Sequence, residues 1–140
     1  MEPADRRQAL LLNPANADDA MVVHVLFEIL KEYSFVVTRF DRSAPLREDD
    51  SVLTILDAIQ SSSIVIADIS RSDPNVWYEL GFTHALRKPT VLLSRRDSET
   101  RLPSDLVGHL FIPYDRKEIG HLRMLFRAAL QQYIRRGAGT

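Results

Sequence analysis

Glu79 stands one turn inside a predicted helix, between Tyr78 and Leu80 in the run SDPNVWYELGFTHALRKPTVLL, Ser72 to Leu93. A carboxylate in such a place faces solvent and complements the helix dipole, or it is desolvated by its neighbours and takes part in chemistry. The helix carries Val76, Trp77, Tyr78, Leu80, Phe82 and Leu86, which leaves little polar surface and favours the second reading. Asn75, Phe82 and Thr83 lie on its face at helical spacing. Asp73 precedes Pro74 as an N-cap precedes a proline at the first helical position. Asp68 ends the preceding apolar run, where it either caps a turn or points into a cleft. Acids beside an aromatic pair, Trp77 and Tyr78, with no metal motif, suit glycosidic chemistry. One carboxylate attacks or stabilises an electron-poor anomeric carbon while another manages a proton. The aromatics could stack on a planar base or belong to the core. Gly81 costs a helix about 1 kcal/mol relative to alanine, and close approach of another backbone or of a ligand would explain it.

The elements that position these residues alternate. Short apolar runs at Ala9–Leu12, Ser34–Phe40, 63–70, 89–94 and 108–114 read as strands, and amphipathic stretches at 17–33, 49–62, Asn75–Arg87 and 118–136 read as helices. Strands without polar alternation are buried on both faces, as in a parallel sheet covered by helices. The expectation is an α/β doubly wound, flavodoxin-like or TIR-like fold with a five-stranded parallel sheet. Ligands in such sheets bind beyond the carboxyl ends of the strands, near the switch point. That gathers Asn13 to Asn16, Phe40 to Arg47, Asp68 to Glu79 and Ser94 onward around one cleft. Asn13, Asp68, Asn75, Trp77 and Tyr78 become candidate substrate-binding groups, and Arg42, Arg47 and Arg71 could meet a 5′-phosphate at its rim. With 140 residues, the chain reads as one domain over 1–136 and a short disordered tail over 137–140.

Much is excluded. The chain has no cysteine, so thiolate zinc sites and cysteine nucleophiles are absent. The first of its 5 glycines is Gly81, which rules out a glycine-rich phosphate loop or dinucleotide fingerprint after the first strand. His24, His84, His109 and His121 show no metal-ligand spacing. Asp18 and Asp19 lie too far past Leu12 for the acidic site of a receiver domain, and RRDSETR reads as a solvated loop. A net charge of −1 predicts no pull toward nucleic acid or membrane. No apolar run reaches membrane-spanning length and no signal peptide is evident, so a cytoplasmic protein is expected.

The run IVIADISRSDPNVWYELGFTHALRKPTVLL, Ile64 to Leu93, resembles the nucleoside 2-deoxyribosyltransferase-like superfamily, related in architecture to TIR domains. The resemblance rests on Asp73 six residues before Glu79, on Glu79-Leu80-Gly81-Phe82, and on Lys88-Pro89 ahead of an apolar strand. LPSDLVGHLFIPYD resembles a segment common in bacterial TIR-like and transferase-like domains. The resemblance implies that Glu79 is the nucleophile that displaces a nucleobase from C1′ and that Asp73 positions the nucleoside. It implies no metal or organic cofactor, a small-molecule substrate (nucleoside, nucleotide or NAD), and a homodimer or larger assembly. TIR-type NAD glycohydrolases use a similar helix glutamate, and a non-catalytic nucleotide-sensing or protein-interaction module of bacterial signalling or defence is the reading from another class. The chain departs from the family in NPANADD after the first strand and in PNVW between the acids. Asp57, nearest to a further family acid, is offset.

Overall fold

In the computed structural model, residues 7–12, 20–39, 52–98 and 110–138 are described. Among these residues lie five strands, β1 (Arg7–Leu12), β2 (Phe35–Arg39), β3 (Ile64–Asp68), β4 (Thr90–Arg95) and β5 (Leu110–Tyr114), and four helices, one after each strand but β4. The helices are α1 (Ala20–Glu32), α2 (Val52–Ser61), α3 (Pro74–Ala85) and α4 (Ile119–Ala138). The sheet runs in the order β2-β1-β3-β4-β5, and every pairing is parallel. This is the doubly wound architecture that the apolar runs predict.

Alternation along the strands divides the core. Ala9, Leu11, Ile64, Ile66, Val91, Leu93, Ile112 and Tyr114 pack with residues of α1 and α4. Leu10, Leu12, Val65, Ala67 and Leu92 face the other way, against Ile55 and Ile59 of α2 and Val76 and Leu80 of α3. All of β3 is buried. Fully burying each such Ile, Leu or Val is worth roughly 1.5–3 kcal/mol, which is why an unbroken apolar run becomes an inner strand. The chain leaves β1 for the edge strand β2 and returns to β3, so the switch point lies between β1 and β3.

Element ends move slightly from expectation. β1 begins at Arg7, two residues early, because Arg7 is paired with Phe35 of β2. α4 runs through Gly137 to Ala138, past residue 136, where the sequence reading ends the domain. On the outer surface of α1, Arg123 and Arg127 sit 2.9 Å from Glu28 and Glu32 and hold both carboxyls below the usual glutamate range. No helix among the described residues is long and apolar enough to cross a membrane.

Candidate active site

α3 starts where the sequence motif says it should. Asp73 has extended backbone (φ −92, ψ 119), and its Oδ1 accepts the Asn75 N–H at 2.8 Å. Pro74 follows at the first helical position, where a missing N–H costs nothing. The Asp73 carbonyl then takes the Trp77 N–H at 3.2 Å and closes the first turn. Asp73 is thus the N-cap, fixed at the carboxyl end of the sheet one short loop beyond β3.

Glu79 lies on the inward face of α3. It is 3% exposed and shares that face with buried Val76, Leu80 and Thr83. The Thr83 hydroxyl donates to the backbone carbonyl of Glu79 at 2.7 Å, so its polarity is satisfied within the helix. Burial of the carboxylate follows from its apolar neighbours, and the solvent-facing reading is set aside.

The other candidates are distributed unevenly. Asn75 is exposed, its backbone N–H spent on the cap. Trp77 is half-buried against the α2/α3 core, with Nε1 donating to Ser72 Oγ at 3.1 Å. Tyr78 is 61% exposed, because it lies about 200° around the helix from both Val76 and Leu80. It therefore neither enters the core nor stacks beside Trp77 on the inward face. Arg71 and Asp57 are exposed. Asn13, Asp18, Asp19, Arg42 and Arg47 lie outside the described residues. Gly81 is exposed and a Cβ there would meet nothing within 4 Å, so the close approach expected at Gly81 is not made by the described part of this chain.

Asp68 is buried and held by the fold. Its Oδ1 accepts the Ser70 N–H at 2.9 Å, the turn-capping role, and its Oδ2 accepts the Tyr114 hydroxyl at 2.6 Å. Ser70 Oγ in turn accepts the Arg95 N–H at 2.8 Å, and Ser98 Oγ donates to the Ser70 carbonyl at 2.6 Å. Tyr114 belongs to the α1/α4 core, whereas Glu79 descends on the α2/α3 side. Asp68 and Glu79 thus approach the sheet from opposite faces. Tyr114, Ser70 and Ser72 are polar positions that sequence reasoning missed; the only signal was a tyrosine closing an otherwise apolar strand.

Lys88 of the Lys88-Pro89 motif has a structural duty. Its Nζ donates to the carbonyls of Gln60 at 2.7 Å and Ser62 at 2.8 Å, where α2 ends without a basic residue in its last turn. Among the described residues, no group of three or more His, Asp or Glu is placed to hold a metal ion.

No family model matches the chain. No curated protein matches it either. Solved structures do. The CMP N-glycosidase of Clostridium botulinum aligns with a TM-score of 0.62 at 19% identity, over 86% of this chain and 99% of that one. The 2-deoxyribosyltransferase of Bacillus psychrosaccharolyticus gives 0.56 at 20% identity, over 80% and 89%. The TIR domains of the activated Roq1 resistosome give 0.50 at 15%, over 88% and 82%. These are likenesses of fold: the chain shares its architecture with a 2-deoxyribosyltransferase, a CMP N-glycosidase and TIR domains, as the resemblance of its Asp73, Glu79-Leu80-Gly81-Phe82 and Lys88-Pro89 implies.

Proposed function

We propose that this protein cleaves or transfers the N-glycosidic bond of a nucleoside or nucleotide. The observation that carries the reading is Glu79, a carboxylate 3% exposed on the inward face of α3, at the position where the resembling superfamily has its nucleophile. In the proposed step a Glu79 oxygen bonds to C1′ as the C1′–N bond breaks. The bonding pair leaves with the base, which takes a proton from solvent or an acid. Water or a second base then attacks C1′ and frees Glu79. Asp73, fixed as the cap of the same helix, orients the sugar. Trp77 supports α3 beneath the site. No metal or organic cofactor enters this scheme, and a homo-oligomeric assembly belongs to the proposal through the resemblance.

A second reading, a TIR-like NAD glycohydrolase using the same Glu79, is favoured by the likeness to the Roq1 TIR domains. One experiment separates them. Ribonucleosides, deoxyribonucleosides, their 5′-monophosphates and NAD are incubated with wild type and Glu79→Gln, and free base is measured by chromatography. Release from one substrate class is expected, with a loss of about 10³-fold or more in Glu79→Gln. Nicotinamide released from NAD alone selects the second reading. Equal release by the variant, or silence across the panel, removes the enzymatic proposal and leaves a binding module.

A further inference from the structure

The same end of the sheet carries a feature that the glutamate chemistry leaves unused. Beyond the carboxyl ends of β4 and β5, a cleft of about 440 Å³ is lined by Arg95, Arg96, Arg116 and Lys117, with Asp97, Asp115 and Tyr114. Both carboxylates are engaged locally. Asp97 Oδ1 is 3.5 Å from Arg95 Nε, and Asp115 Oδ1 accepts the Lys117 backbone N–H at 2.9 Å. Arg96 and Lys117 are exposed, and neither side chain meets a partner among the described residues. Arg116 and Lys117 also stand just ahead of the 20-residue α4, and so at its positive end. Apart from Glu118 at its cap, that end has no acid in its first turn. Cations gathered at the positive end of a helix repel it and one another, and an anion between them relieves that cost.

The cleft adjoins the Asp68 side of the candidate active site. Tyr114 in its wall donates to Asp68 at the end of β3, and the Arg95 N–H donates to Ser70 in the loop that leads into α3. β4 and β5 lie one and two strand spacings from β3, about 5 and 10 Å. Guanidinium forks match phosphate oxygens in pairs.

We propose that this cleft is the phosphate subsite of the active site built on Glu79, so that the substrate is a phosphorylated nucleotide rather than a free nucleoside. The proposal rests on the N-glycosidic reading above. Its test is calorimetric titration of Glu79→Gln, which keeps substrate intact, with adenosine, cytidine, their 5′-monophosphates and inorganic phosphate. At least one monophosphate is expected to bind about tenfold or more tighter than its nucleoside. Adding Arg96→Ala and Lys117→Ala, both at exposed side chains, is expected to cut that advantage to about twofold without changing nucleoside affinity. Equal binding of nucleoside and monophosphate overturns the proposal, as does an advantage that survives the double substitution. Loss of inorganic phosphate binding with the monophosphate advantage intact makes the cleft a separate anion site and overturns it too. The two proposals fail separately: base release that ignores Glu79→Gln defeats the chemistry, while the affinity difference is read without turnover.

Discussion

The two ends of the sheet both gather positive charge, and they use it differently. At the amino ends of β3, β4 and β5 a cavity of about 830 Å³ is floored by Ile64, Val91 and Leu110 and bordered by His84, Arg87, Lys88 and Arg136, with no carboxylate among the described residues that line it. Apolar floor, volume and charge would make it the default ligand site. Yet three helices, α2, α3 and α4, end there, and their last carbonyls want cations. Lys88 is spent on two of those carbonyls, and Arg87 forms the left-handed turn that ends α3. At the carboxyl ends, the exposed side chains of Arg96 and Lys117 meet no partner among the described residues. Volume and sign alone therefore do not mark a site: at the larger cavity Lys88 already holds the end of α2.

The comparison breaks most visibly at Lys88. Lys88→Met strips two carbonyls of a charged donor and is expected to cost about 2 kcal/mol, a fall of roughly 5–10 °C in Tm for a chain of this size. Urea and thermal unfolding measure it, and KM for the released base's parent should not move. A Lys88→Met protein with wild-type Tm and a raised KM would put ligand recognition at the amino end.

Asp73 sharpens the other side, since it is both cap and proposed catalytic group. Asp73→Ala removes the cap and is expected to cost about 1 kcal/mol, while Asp73→Asn caps as well as aspartate does. If Asp73 orients the sugar, Asn keeps the Tm within a degree or two but lowers kcat/KM by about 10- to 100-fold. An Asn variant equal to wild type in both measurements reduces Asp73 to a cap.

These contrasts also show what the sequence made legible. The inner strands could be read because a strand buried on both faces is an uninterrupted apolar run, as Ile64 to Ala67 is. Burial of Glu79 followed from its neighbours, and the Asp73 cap from Asp-Pro. That Tyr78 parts from Trp77 could not be read from composition, which ignores the turn of the helix that swings it outward. The partner of Asp68 could not be read at all: Tyr114 is 46 residues away, and only the order β3-β4-β5 brings it within 2.6 Å. Lys88 is similar. Its motif was visible, but its purpose depends on where α2 ends in space, 26 residues back.

The smallest effect is expected at Arg87, and it tests the amino end most directly. Arg87 has φ 56, and its N–H bonds to the His84 carbonyl at 2.9 Å while that of Lys88 bonds to Thr83 at 3.2 Å. This is a Schellman ending with arginine where glycine is usual. The left-handed backbone costs a side-chain-bearing residue roughly 1–2 kcal/mol, and glycine returns part of that gain through its greater freedom when unfolded. Arg87→Gly should therefore raise stability by about 0.5 kcal/mol, read as a rise of roughly 2 °C in Tm. It also deletes one exposed cation from the rim of the 830 Å³ cavity. Unchanged base release and unchanged nucleotide affinity would then mean that a strained arginine at that rim serves no ligand of this reaction. A gain in stability bought with lost nucleotide affinity would mean the reverse: the strain is kept for binding, and both ends of the sheet hold substrate.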